Sequence, residues 1–137
     1  MRRVGREYAL KILYMLDIKE EKDVDNFDFF WGHFNEKEEV KKFAEEIVKG
    51  VLSNIKKIDD TISNVSLNWD IKRMSYIDRN ILRIGTYEIL FRDDIPSVVS
   101  INEGIELAKK YGDEDSPKFV NGILHKIKEI SEQEGVK

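Results

Sequence analysis

"MSYIDRNILRIGTYEILF", residues 74–91, decides the fold. Two apolar stripes run along it at helical spacing: Ile77, Ile81, Ile84 and Phe91 form one, and Leu82, Gly85 and Ile89 form the other. A helix that is apolar on two sides is buried on two sides, which makes it the central helix of a bundle. Glu88 falls inside the first stripe. An interior carboxylate needs hydrogen-bond donors, such as the backbone N–H groups at the start of a neighbouring helix. No second acid or base is spaced to work with it, so its reading is structural. A further side of the same helix carries Tyr76, Arg79, Arg83 and Tyr87. Arginines framed by tyrosines suit recognition by stacking and bidentate hydrogen bonds, of either nucleic acid or protein.

Downstream, "SINEGIELAKKYG" at 100–112 predicts a helix with Ser100 and Glu103 as a capping box, Ile101, Ile105 and Ala108 as its buried face and Gly112 as its stop. The last helix is predicted to open at Ser116 as N-cap, with Pro117 at the first helical position, where its missing N–H costs nothing. Its apolar side is Phe119, Val120, Ile123, Leu124, Ile127 and Ile130, and "SEQEGVK" at the end is expected to fray. Upstream, Val40, Phe43, Ile47, Val51, Ile55, Ile58, Ile62 and Val65 alternate three and four apart, which predicts one long helix from about Glu36, with Gly50 as a kink or a close-contact point. "VDNFDFFWGHF" predicts a short helix whose Phe27, Phe30, Trp31 and Phe34 belong to the core. In the first helix Val4, Tyr8, Ile12 and Leu16 recur every four residues on the core side, and projection places Arg2, Arg3, Arg6, Leu10 and Tyr14 on the opposite half. The expectation is an all-α chain of about seven helices without strands or repeats.

Composition narrows the function. Hydrophobic residues are 41% and charged residues 36% of 137, which fits one small helical domain. With no cysteine, disulfides, thiolate metal sites and cysteine nucleophiles are excluded, and His33 and His125 show no ligand spacing. No metal or cofactor is expected. There is no glycine-rich phosphate loop, no H-x-x-x-H pair and no nucleophile elbow, so the chain reads as a binding protein and not an enzyme. No apolar run nears the roughly 20 residues of a membrane span, nor does a secretory signal open the chain, so cytoplasmic residence is expected. The net charge of −4 conceals an asymmetry: residues 1–14 hold Arg2, Arg3, Arg6 and Lys11 against Glu7 alone, a net of +3, leaving −7 for the rest. That is a basic face on an acidic body.

Two readings of "DEDSPKFVNG", residues 113–122, stay open on residues alone. One is capping plus core. The other is a contact set for single-stranded RNA: Lys118 for a phosphate, Phe119 for a base face, Asn121 for a base edge, with Asp115 orienting an arginine or accepting from a base amino group. Tyr14, on the arginine side of the first helix, divides the same way between packing and stacking on an unpaired base.

Arg3, Arg6, Glu7, Ala9, Leu13 and Tyr14 in the first helix, "DRNILRIGTYEIL" at 78–90, "IPSVVSINEGIELAKKYG" at 95–112 and "SPKFVNGIL" at 116–124 together resemble the bacterial transcription antitermination factor NusB family. The resemblance covers nearly the whole chain and is weakest at 18–70. It implies a seven-helix domain over 1–137 made of two small packed sub-bundles, approximately 1–66 and 67–137. It further implies binding of a short single-stranded RNA element, boxA, together with ribosomal protein NusE, and joining of that assembly to elongating RNA polymerase during ribosomal RNA transcription. By the resemblance, Arg2, Arg3, Arg6, Tyr14, Arg83, Asp115, Lys118 and Phe119 form the RNA side, and Asp78 and Arg79 the NusE side. Tyr76 and Tyr87 join the protein-partner candidates from their position on the central helix. The resemblance also admits a homodimer through the RNA face. Val4 and Gly5 interrupt the arginine cluster and the body is acidic, which implies weak RNA binding by the chain alone and completion of the surface by the ribosomal partner. Two rivals stand beside this reading: a helical adapter that binds only protein, and a stand-alone relative of the N-terminal RNA-binding domain of a ribosomal RNA cytosine methyltransferase. The second requires a cofactor domain downstream, and the sequence stops at Lys137.

Overall fold

A computed structural model describes residues 1–67 and 69–135. Among them the order is α1 (Arg2–Ile18), α2 (Asp28–Trp31), α3 (Glu38–Ser53), α4 (Ile55–Val65), a 3-10 turn (Ile71–Arg73), α5 (Tyr76–Phe91), α6 (Ser97–Tyr111) and α7 (Ser116–Gln133), with no strand. The all-α expectation holds, with seven α-helices. Helix α5 is the axis, packing against α1, α3, α4, α6 and α7. Both of its apolar stripes are used: Ile81, Leu82, Ile84, Ile89 and Leu90 are buried. Ser75 caps it, its Oγ accepting from the Asp78 N–H at 3.0 Å.

Several expectations change where tertiary packing overrides periodicity. The long helix over 36–65 is two helices broken at Asn54, whose φ of −121° and ψ of 21° leave the helical region. The Asn54 side-chain amide donates to the Gly50 carbonyl at 2.9 Å, closing the end of α3. Because the joint is a single residue, the apolar spacing carries through it and conceals the break. Gly50 is the close-contact point: a Cβ there would lie within the ring of Tyr87. The aromatic segment keeps only Asp28–Trp31 as helix, yet Phe27, Phe30 and Trp31 are buried as expected.

Helix α6 begins at Ser97, after Pro96, a turn earlier than the capping-box reading allows. Ser100 therefore lies inside the helix and buried. Helix α7 includes Ser116, and its N-cap position is Asp115. The capping oxygen comes from further upstream: Asp113 Oδ1 accepts from the N–H groups of Asp115 and Ser116, at 2.9 and 3.2 Å. Of the C-terminal tail expected to fray, α7 runs on through Gln133, and Val136 and Lys137 lie outside the described residues.

Helix α1 differs most from its projection. Val4 is 41% exposed, whereas Arg6 is only 4% and Leu10 1% exposed. The helix is covered by α3 on one side and α5 on another, so more than half of its circumference is interior. Gly5 permits the approach of α3: a Cβ at that position would lie 2.7 Å from Phe43 Cδ2.

Candidate RNA and partner interface

The arginines at the start of α1 are all paired. Arg2 donates to Asp94 Oδ2 at 3.0 Å and lies over the Phe43 ring. Arg3 makes a two-pronged contact with Glu103, at 3.1 and 2.7 Å. Arg6, placed on the outward half by projection, instead donates through Nε and Nη2 to Glu88 at 2.7 and 2.9 Å in the interior. This corrects the expected environment of both residues: the donors to Glu88 include the Arg6 fork and the Ser100 hydroxyl at 2.8 Å. The Ser100 hydroxyl, expected to cap α6, is used in the core instead.

From Arg3 the surface continues along α1 onto the end of α6. Glu7 accepts from Lys110 Nζ at 2.8 Å and Tyr111 Oη at 2.7 Å, and Lys11 lies over the rings of Tyr8 and Tyr111. Tyr14 is exposed and meets Tyr76 edge-to-face, with ring centroids 6.1 Å apart. Across the start of α7, Asp115 and Lys118 are exposed, and Phe119 is half-buried. Phe119 meets Trp69 edge-to-face at 6.1 Å, and Trp69 is 54% exposed. Arg3 and Lys110 line one groove, and Tyr111 joins Lys110 to Lys11, while Tyr14 and Tyr76 form a separate pair and Phe119 and Trp69 another, with Lys118 beside Phe119 in the first turns of α7. Trp69, Lys110 and Tyr111 had no assigned role in the sequence. Trp69 lies in an irregular segment where no period marks it, and the other two look like an ordinary helix end.

Arg83 lies elsewhere. It grips Asp59 of α4 through Nε and Nη2, each at 2.9 Å, and reaches Asp17 Oδ2 at 3.0 Å. Arg79 makes its own fork to Asp17 at 2.7 and 2.8 Å and stacks on Tyr76, 4.4 Å from the ring centroid. These arginines and Tyr76 line a groove of about 610 Å³ between the end of α1 and the starts of α4 and α5. Tyr87 is apart from them, packed over Gly50 and stacked on Phe91. Asp78 lies beside the start of α7. Burial raises its carboxyl above the ordinary range, the Ser116 hydroxyl offsets part of the rise, and the Asp113 charge adds to it.

Burial alone would raise Asp17 as well, but hydrogen bonds from Arg79 and Asn80 and the charge of Arg83 outweigh it and hold the carboxyl low. Glu103 is likewise held low by the Arg3 hydrogen bond, against a smaller effect of burial. Groups depressed in the fold are protonated first in the unfolded chain. Their stabilisation is therefore complete above the unfolded value of about 4 and is lost as pH falls through the folded value. Urea midpoints are expected to stay level from pH 7 to 5 and to fall below about pH 4. Asp17→Asn should cost about 1–3 kcal/mol at pH 7 and flatten the acid limb. An unchanged acid limb in Asp17→Asn would remove Asp17 from this account. Asp78 works in the opposite sense, since its raised value means that protonation relieves strain in the fold.

Among the described residues there is no cluster of three or more metal-ligating side chains, and no helix is long and apolar enough to cross a membrane. The NusB family model matches residues 3–129. The transcription antitermination protein NusB of Anaeromyxobacter sp. (strain Fw109-5) is 49% identical over 90% of this chain and 86% of that protein. Its namesake from Desulfitobacterium hafniense (strain DSM 10664 / DCB-2) is 45% identical over 93% of this chain and 88% of its own. Among solved structures, T. maritima NusB aligns with a TM-score of 0.82 and 37% identity, covering 94% of this chain and 91% of that one. A chain from the crystal structure of antitermination factors NusB and NusE in complex with dsRNA aligns with a TM-score of 0.80 and 29% identity, over 94% of this chain and 96% of that one. Matched from Arg3 nearly to the end of α7, in sequence and in helix arrangement alike, the chain belongs to the NusB family.

Proposed function

We propose that this chain is a transcription antitermination factor that binds boxA-type single-stranded RNA together with ribosomal protein NusE and supports processive transcription of ribosomal RNA by RNA polymerase. Family membership carries the reading, because relatives are named transcription antitermination proteins and one solved relative is seen with NusE and dsRNA. The surface chemistry supports it. Arg2 and Arg3 supply phosphate contacts, and Tyr14, Phe119 and Lys118, with Trp69 beside them, supply rings and a cation for unpaired bases. Exposed rings favour single strands, since the bases of a duplex are already stacked. Asp115, exposed at this edge, is placed to accept from a base amino group. Arg6 and Arg83 hold the scaffold through their ion pairs instead of touching RNA. NusE takes the groove lined by Tyr76 and Arg79, while Asp78 joins the partner surface from outside that groove, beside the start of α7; Tyr87 serves by packing α5 onto α3.

The role is binding and not catalysis: Glu88, the interior carboxylate of α5, is held by Arg6 and Ser100. The domain is read as one unit of two sub-bundles, about 1–66 and 67–137, with α5 joining them. Limited proteolysis that cuts first near residues 66–70 supports that division, and first cuts inside α5 would count against it.

The decisive measurement is anisotropy of a labelled boxA RNA, titrated with the chain alone and with NusE, against scrambled and duplex RNA. Wild type with NusE should prefer boxA, and Lys118→Ala/Phe119→Ala should weaken boxA binding roughly tenfold or more and erase the preference. NusE binding without any distinction between boxA and scrambled RNA would favour the protein-only adapter.

A further inference from the structure

A second groove, of about 350 Å³, runs between α1 and α6. Its walls carry four cations, Arg3, Arg6, Lys109 and Lys110, and three acids, Glu7, Glu103 and Glu106. Each cation already has a carboxylate: Arg3 has Glu103, Arg6 has Glu88, Lys109 has Glu106 and Lys110 has Glu7. These pairs differ in how easily they open. Arg6–Glu88 is buried, and Glu7 is fixed by two donors, Lys110 and Tyr111. The Arg3 side chain, by contrast, is 60% exposed, while its partner Glu103 is largely covered. Glu103 also has a second cation within reach, Arg6 Nη1 at 3.6 Å.

We propose that the α1–α6 groove is a phosphate subsite, and that Glu103 fills it in the free chain as an internal stand-in for the nucleic-acid backbone. A carboxylate and a phosphate present the same paired oxygens to a guanidinium fork. When a phosphodiester enters, Arg3 turns outward to it and Glu103 falls back on Arg6, so neither charge is stranded. The exchange sets a threshold: only a ligand dense in phosphate displaces an anion already in place. This subsite rests on the RNA reading above and adds Glu103 as the residue that sets its affinity.

The test compares wild type, Glu103→Gln, Glu106→Gln, Arg3→Ala and Arg3→Ala/Glu103→Gln, each with NusE, in binding labelled boxA RNA over a salt series. Glu106→Gln makes the same change in net charge one turn away, in the same groove. Glu103→Gln is expected to tighten binding about two- to fivefold at low salt, the range for releasing an exposed ion pair. It should also steepen the log–log salt slope by up to about 0.7, the value of one phosphate on a single strand. The gain should vanish in the Arg3→Ala background, and Glu106→Gln should give less than half of it. Weaker binding by Glu103→Gln, resembling Arg3→Ala, would mean that the carboxylate positions the arginine for RNA, and the proposal falls. An equal gain from Glu106→Gln would reduce the effect to overall charge and overturn it as well. If wild type binds boxA and Glu103→Gln changes nothing, the subsite fails while the RNA reading stands. No binding by any variant removes both.

Discussion

Glu88→Ala is expected to lower the unfolding free energy by about 3–5 kcal/mol, because it removes both short hydrogen bonds from the buried Arg6 guanidinium and leaves it only the longer contact to Glu103, at 3.6 Å. That is a fifth or more of a typical domain's total stability, about 5–15 kcal/mol. The pair is nearly sealed, with side-chain exposures of 5% for Arg6 and 1% for Glu88. Its two short hydrogen bonds and the Ser100 hydroxyl satisfy both carboxylate oxygens. Arg6→Ala should cost a similar amount, for the mirror reason. The double change Arg6→Met/Glu88→Leu should recover most of the loss, since apolar residues of similar volume replace a buried pair at little net cost. Urea denaturation of the four proteins decides it: single losses below about 1 kcal/mol, or a double variant as unstable as the singles, would contradict the buried-pair account. The same set separates structure from recognition. If Arg6 acts only through the fold, the double variant should bind RNA much as wild type does.

Leu124→Ala should cost about 2–5 kcal/mol, the usual range for deleting a buried leucine side chain without full collapse of the site. Leu124 is fully buried where α5, α6 and α7 meet, and glycines on both neighbouring helices make room for it. A Cβ at Gly85 would lie 2.8 Å from Leu124 Cδ1, and one at Gly104 would lie 2.9 Å from the same atom. Gly85→Ala alone should therefore destabilise by overpacking, by about 1–3 kcal/mol. In the Leu124→Ala background the added methyl enters the vacated space, so Gly85→Ala should be neutral or stabilising there. A thermodynamic cycle in which the two changes simply add would show that the residues do not share this space. The RNA contacts proposed for α7 depend on this junction, because Lys118 and Phe119 are carried at the start of the helix that Leu124 anchors.

Much of the molecule was legible in one dimension. The two stripes of α5 determined that it is central, since a helix apolar on two sides has no other stable place, and the spacing of Val120, Ile123, Leu124 and Ile127 determined the buried face of α7. Phe27, Phe30 and Trp31 were core, with Phe34 packed against them, as the aromatic density of that segment required. Local chemistry was less secure at helix ends. Ser100–Glu103 has the form of a capping box, but Pro96 starts the helix a turn earlier, and both side chains are then free for distant partners: Ser100 for Glu88 and Glu103 for Arg3.

Tertiary structure alone decided the fate of the charges. A projection of α1 ranks its faces by their own polarity and so puts Arg6 outside with Arg2 and Arg3. Whether an arginine is inside depends on what the neighbouring helix brings to it. Here α5 brings Glu88, which lies 82 residues further along the chain. Arg79 and Arg83 likewise meet Asp17 more than 60 residues away. Apolar burial follows from each helix's own pattern because the hydrophobic effect is non-directional and needs no particular partner. An ion pair needs one specific opposite charge at hydrogen-bonding distance, and that is a property of how two helices are docked.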